Sequence, residues 1–340
     1  MTEYNEECYI IAELSANHGN SLDTVFKTID AAKRAGANAI KLQTYTADTI
    51  TLNGTQEHFK IKQGTHWDGI NLYDLYQSAA LPWEWHALIF DYAKKVGIDC
   101  FSSPFDATAV ELLESLNTPA YKIASFEITD IPLISLVASK NKPIIISTGI
   151  ANLEDIELAI ETCINEGNKD ISLLKCTSEY PASPKNANLL TIPDMQKRFE
   201  VRVGLSDHTM GIEGPIVAVS LGATIIEKHF ILNKTIGGPD AHFSLDENEF
   251  TSMVKGVRLA EKLMGKVDYS LGESKKNSRF FSRSLFIAQD IKKGEKLNSQ
   301  NLRSIRPGIG LHPKYYNNVL GKRVTQDLPL GTPLTLQHLE

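Results

Sequence analysis

The sequence predicts an α/β fold: a (β/α)8 TIM barrel over residues 1–265, a linker over 266–282 and a small C-terminal β-rich domain over 283–340. Three observations carry this prediction. Short β-branched runs alternate with amphipathic stretches eight times before Met264. Runs such as "PIIIS" and "TIIE" are apolar on both faces, as a parallel sheet covered by helices requires. No dinucleotide-type GxGxxG follows any strand, which favours a closed barrel over an open doubly wound sheet.

The first unit is "YIIAELSAN" followed by "SLDTVFKTIDAAKRAG", where Val25, Ile29 and Ala32 recur at helical spacing and Gly36 suits the stop. "AIKLQTY" comes next, then a long excursion over Thr46–Leu81, then a helix from about Pro82 to Val96. "DCFSSP" precedes "DATAVELLESLN", and "AYKIAS" precedes "DIPLISLVASKN". "PIIISTG" leads into "NLEDIELAIETCINEG", and "ISLLKCT" leads through "YPASPKNA" into a weaker helix. "VRVGLSDH" is followed by "GIEGPIVAVSLG", and "TIIEKHFIL" by a helix from about Glu247 to Met264. The polar, Lys/Ser-rich "GKVDYSLGESKKNSRFFS" reads as a linker, and the tail has short runs such as "SLFIAQDI" and "VLGKRV" broken by Gly and Pro.

With 340 residues, 42% hydrophobic and 22% charged, the chain can bury a large core as a soluble enzyme. Its net charge of −6, without a basic run, excludes nucleic acid as a partner. No apolar stretch reaches membrane-spanning length, and "MTEYNEECYI" lacks the features of a signal peptide, so a cytoplasmic protein is expected. Cys8, Cys100, Cys163 and Cys176 form no CxxC pair and read as reduced, buried thiols.

A barrel of this kind works at the carboxyl ends of its strands. His208 and His229 end the seventh and eighth strands, so their imidazoles can converge on a divalent metal, with Asp207 and Glu227 as orienting groups. Lys41 and Lys122 interrupt apolar strands and, with Ser103, Ser125, Ser147 and Ser206, suit a phosphate and carboxylate ligand. A Schiff-base lysine and structural ion pairs with Glu13 or Glu127 are the alternatives. Glu13 is a candidate water activator, with a salt bridge to Lys41 as its other reading. "GGPDAHFSL" presents Asp240 and His242 on a turn. The aromatic-rich "HWDGINLYDLYQSAALPWEWH" reads as an ordered lid or interface.

"IIAELSANHGN", "KLQT", "AYKIAS", "IIISTG", "CTSEYP", "GLSDHT" and "IEKHF", in this order, resemble the sialic acid synthase family, and "RSLFIAQDIKKGE" and "IRPGIG" resemble its antifreeze-like (SAF) module. The resemblance implies condensation of phosphoenolpyruvate with an amino-sugar aldehyde to a nine-carbon keto acid. It implies Glu13 as a catalytic group and His208 and His229 as ligands of Mn2+, with Mg2+ or Co2+ as other candidates. It places Lys41, Ser103, Lys122, Ser125, Ser147 and Ser206 around phosphoenolpyruvate, and Gln43, Tyr180 and Asp240 on the sugar side. Arg306 would reach the site of a second subunit, making a domain-swapped homodimer. Ser178 stands where the family commonly has Asn, and Ser103 where it has Thr, so a contact at Ser178 does not carry over unchanged. The loops "NLYDLYQSAALPWEW" and "GGPDAHFSL" resemble the branch whose acceptor is 2,4-diacetamido-2,4,6-trideoxy-L-altrose. N-acetylmannosamine, the legionaminic precursor, and a non-catalytic sugar-binding role are the alternatives.

Overall fold

The structure, a computed structural model, describes residues 7–62, 64 and 68–340. His66 and Trp67 of the aromatic excursion, and most of the N-terminal stretch "MTEYNEECYI", lie outside the described residues. Strands β1 (Tyr9–Glu13), β2 (Ala39–Thr44), β3 (Asp99–Pro104), β4 (Tyr121–Ile123), β5 (Ile144–Ser147), β6 (Ile171–Cys176), β7 (Arg202–Asp207) and β8 (Ile225–His229) form a closed parallel barrel. Closure is explicit in the register: Glu13 of β1 faces both Lys41 of β2 and His229 of β8.

The lumen is sealed from below by Ile11, Ala39, Phe101, Ile145, Leu174 and Ile225, a cluster separate from the main core between strands and helices. Side chains alternate along a strand, so the residue two positions further on points into the lumen again. Those residues are Glu13, Lys41, Ser103, Ser147, Cys176 and Glu227. An apolar plug therefore carries a polar layer at one end of the barrel, away from bulk water. Gly204 belongs to this packing, because a Cβ there would lie 2.3 Å from the Ile225 carbonyl oxygen on the neighbouring strand.

The helices begin where the sequence supplies caps. Ser21 accepts from the Thr24 amide ahead of Leu22–Arg34, and Asp246 forms a capping box with Glu249 ahead of Glu247–Met264. The helix expected from about Pro82 starts at Trp85, because Pro82–Glu84 make a preceding turn. The excursion after β2 is ordered where described. It carries a lid helix, Leu72–Ala79, capped by Asn71, whose side chain also donates to the Gly54 carbonyl.

Residues 266–340 form a second unit with its own core, which includes Leu285, Leu302, Val324 and Leu334. Strands β9 (Ser284–Ile287) and β10 (Leu302–Ile305) pair antiparallel. The stretch read as a linker contains a helix, Glu273–Arg279. None of its residues is buried, so the apolar periodicity that marks a helix in sequence is missing there. Among the described residues no helix is long and apolar enough to cross a membrane, and all four cysteines are free and buried.

Candidate active site

The polar layer is an ion cluster. Lys41 Nζ pairs with Glu13 Oε2, lies 3.6 Å from Glu227 Oε2 and donates to Ser103 Oγ at 3.3 Å. Lys122 Nζ lies 3.3 Å from Glu227 Oε1 and donates to Ser147 Oγ at 2.7 Å. Ser206 Oγ donates to Glu227 Oε1 at 3.0 Å, and Gln43 Nε2 donates to Glu13 Oε1 at 3.2 Å. Side-chain exposure of the four charged groups is 2–6%, so desolvation works against each charge and the cluster is weak evidence for stability. Burial first, with Lys122 adding to it and Glu227 opposing, pulls the Lys41 pKa down to about 7.

Above this layer is a cavity lined by Glu13, Lys41, Gln43, Lys122, Ser125, Ser147, Cys176, Tyr180, Ser206, His208, Glu227 and His229 among others. Ser125 is held ready: its Oγ accepts from the Ile150 amide at 3.1 Å and from Ser178 Oγ at 2.9 Å. The serine at position 178 thus supports Ser125. Gly149 permits this approach, since a Cβ there would lie 2.2 Å from Ser178 Oγ and 2.7 Å from Ser125 Oγ.

The histidines meet at the rim, with ring centroids 5.3 Å apart. His208 Nδ1 is 3.0 Å from the Thr177 carbonyl, which can only accept, so in the neutral ring Nδ1 holds the proton and Nε2 the lone pair. His229 stacks edge-on to Phe243 at 4.8 Å, and its Nδ1 is buried without a hydrogen bond, 3.8 Å from Asp240 Oδ2. Burial, followed by the charges of His208 and Lys41, holds the His229 pKa well below its ordinary value, so that ring is neutral and able to ligate. At His208 burial is outweighed by the Cys176 thiol and the Thr177 carbonyl and the pKa is raised, so a cation there must displace a proton. A bonded, tautomer-fixed imidazole beside one with an orphaned nitrogen fits a divalent cation. Among the described residues no cluster of three His, Cys, Asp or Glu side chains completes such a site. Water and substrate oxygens would take the remaining positions.

The structure corrects the expectations for Asp207, Glu227 and Ser103 and locates the other candidates. Asp207 does not orient a histidine: its Oδ2 takes a hydrogen bond from buried Lys228 Nζ at 2.5 Å, and its Oδ1 holds the turn at Thr209. Glu227 is the counter-ion of both lysines. The Glu13–Lys41 salt bridge, kept as an alternative reading, is formed. Ser103 lies under the cavity as a partner of Lys41 and does not line it. Asp240 stands beside His229 and accepts from the Ala16 amide at 3.3 Å, while His242 is exposed. Arg306 is exposed on the second unit, in a cleft with Lys275, Ser278 and Arg279.

One group was missed, and the ion pair considered for another is not formed. Cys176, read as a reduced, buried thiol, lines the cavity 3.8 Å from His208 Nδ1; burial opposes its ionisation, but His208, Lys122 and Ser178 together outweigh that and its pKa is lowered. Glu127, just past β4, pairs with no lysine among the described residues. Its Oε2 is buried without a hydrogen bond, and burial, against the charge of Lys122, raises its pKa to about 7. Period-two counting from the apolar plug would have found Cys176.

The Asp207–Lys228 pair makes a stability prediction. Asp207→Asn leaves a buried ammonium without its anion, and should cost about 3–5 kcal/mol. A thermal midpoint lowered by several degrees is the expected reading; an unchanged midpoint would show that the pair adds nothing.

With this geometry in view, comparison with known proteins is specific. The NeuB family pattern matches residues 28–269 and the SAF domain matches residues 282–340. The chain is 49% identical to a pseudaminic acid synthase of Campylobacter jejuni subsp. jejuni, covering 97% of this chain and 96% of that protein. It is 48% identical to a pseudaminic acid synthase of Helicobacter pylori, covering 97% of each. The crystal structure of N-acetylneuraminic acid synthetase from Leptospira borgpetersenii, in complex with citrate, superposes with a TM-score of 0.72 at 30% identity, over 82% of this chain and 94% of that one.

Proposed function

The chain belongs to the NeuB family, and on that premise we propose that it works as a pseudaminic acid synthase. It condenses phosphoenolpyruvate with 2,4-diacetamido-2,4,6-trideoxy-L-altrose and water, giving pseudaminic acid and phosphate. The observation that carries this reading is the buried pair of ammonium groups, Lys41 and Lys122, ringed by serine hydroxyls directly below two converging imidazoles. A small, highly charged anion fits the lower part and an aldehyde the upper.

Lys41, Lys122, Ser125, Ser147 and Ser206 hold phosphoenolpyruvate, whose anionic groups draw Lys41 away from Glu13. The enol carbon then attacks the acceptor's aldehyde carbon, held in place by Gln43, Tyr180 and Asp240. His208 and His229 would hold a divalent cation, manganese foremost, which supplies Lewis-acid polarisation of the aldehyde oxygen. Because attack comes from the methylene carbon of phosphoenolpyruvate, the adjacent phosphate-bearing carbon becomes electrophilic, and Glu13, released from Lys41, orients and deprotonates the water that adds to it. Carbon–oxygen cleavage of the tetrahedral adduct releases phosphate. On the same resemblance, Arg306 of one copy completes the sugar end of the other's pocket in a homodimer.

Phosphate release and product mass from phosphoenolpyruvate with each of three sugars tests the reading: the diacetamido altrose, the legionaminic precursor and N-acetylmannosamine. The altrose should have the highest kcat/KM. Preference for either of the others overturns the substrate assignment, and no turnover with any of them overturns the enzyme.

A further inference from the structure

The chemistry above leaves the aromatic excursion unused. On β2, Lys41 and Gln43 face the lumen, and alternation sends Tyr45, just past the strand, to the same side. On β3, Phe105 follows Ser103 in the same phase. The two rings meet edge to face with centroids 5.1 Å apart. The lid helix adds Tyr76, edge-on to Tyr45 at 5.9 Å. Rings from three separate segments thus make one shelf on the β2–β3 side of the mouth.

The shelf is held in place. Tyr45 is 4% exposed, and Phe105 and Tyr76 are half-buried. Trp83 Nε1 donates to the Tyr45 carbonyl at 3.1 Å, His18 Nε2 bonds the Ala79 carbonyl at 3.1 Å, and Tyr73 OH donates to Asp48 at 3.1 Å. Burial, with the charge of Asp240 beside it, raises the Tyr45 phenol, and burial with Glu127 raises that of Tyr76. Both phenols stay neutral.

In the closed barrel β3 lies four strands from β7, which is diametrically across the mouth. Tyr45 follows β2, two strands from the β8 that carries His229, and two residues after Gln43 of the cavity lining, so the shelf stands on the side of the mouth that Gln43 shares, within reach of the far end of a sugar whose aldehyde sits at the histidines. We propose that Tyr45, Tyr76 and Phe105 determine acceptor specificity by receiving the apolar distal end of the sugar, its C6 methyl and the methyl of its C4 acetamido group. This rests on the acceptor named above and assigns its selection to particular residues. Aromatic faces offer contact area to methyl groups at little entropic cost, whereas a hydroxyl placed against a ring face, away from the phenol edges, gives up water without a partner.

An apolar wall rejects an added hydroxyl by no more than about 100-fold. The test compares kcat/KM for the diacetamido altrose and for its 6-hydroxy counterpart at saturating phosphoenolpyruvate. The wild-type chain should prefer the deoxy sugar by about 10–100-fold. Tyr76→Ala should raise KM for the deoxy sugar about tenfold and bring the preference close to one. Tyr76→Phe should keep both values, and an unchanged KM for phosphoenolpyruvate reports an intact lower layer. Wild-type preference retained in both Tyr76→Ala and Phe105→Ala overturns the proposal. So does a Tyr76→Phe variant as impaired as Tyr76→Ala, since the hydroxyl and not the ring would then matter. If the wild-type chain turns over neither sugar, the functional reading itself fails and takes the shelf with it, which is seen before any variant is made.

Discussion

His208→Ala will abolish turnover while leaving the barrel folded. The side chain is buried, bonded at Nδ1 to the Thr177 carbonyl and packed against Tyr180 with centroids 4.4 Å apart. Losing it orphans that carbonyl, which costs about 1–3 kcal/mol, a fraction of what a domain this size tolerates. The catalytic loss is larger: removing a group that stabilises charge on a reacting oxygen lowers kcat by about 100–1,000-fold. The competing explanation makes His208 a fastener for the loop after β6. His208→Gln separates the two, since an amide N–H can restore the tie to Thr177 without restoring an imidazole lone pair. Both variants should lose divalent-cation binding by calorimetry and phosphate release, with His208→Gln closer to wild type in thermal midpoint. Near-normal turnover of His208→Ala in chelator-treated buffer ends the proposed role of the imidazole pair.

The barrel was legible because each strand carries its own signature and the pattern repeats eight times. The polar layer was legible for a related reason: Lys41 and Lys122 break apolar strands, and a charge in that setting demands a partner. Which partner was not. Asp207 precedes His208 in the chain, yet neighbours on a strand face opposite sides, so Asp207 meets Lys228 outside the lumen while His208 faces in. The same alternation puts Glu227 in phase with His229, but one layer lower, where the lysines are. Ser178 illustrates the limit of transferring a motif, since its hydroxyl serves Ser125 through a bond that only the fold creates. The lid helix had its cap in Asn71 and apolar residues at Leu72, Leu75, Tyr76 and Ala79, a helical spacing short enough to pass for an aromatic loop.

Affinity for phosphoenolpyruvate should fall as pH rises above about 7, because Lys41 must carry a proton to hold the anion and its pKa in the free protein is about 7. KM should climb by up to about tenfold per pH unit from there, levelling off at the higher pKa that Lys41 acquires beside a bound anion. The kcat at saturation should stay flat over the same range, since the ligand keeps the proton on. Glu227 raises the Lys41 pKa, so Glu227→Gln should move the onset of the KM rise to lower pH. An onset unmoved or moved upward contradicts the role of Glu227 as counter-ion. The stability trend runs the other way. A lysine whose folded pKa lies below its unfolded value of 10.5 binds fewer protons folded than unfolded between about 7 and 10.5. Its contribution to the unfolding free energy therefore rises with pH across that window and is most unfavourable below 7. Opposite slopes separate function from denaturation: a KM that worsens while the thermal midpoint holds or improves assigns the loss to Lys41, whereas a KM and a midpoint that worsen together assign it to unfolding.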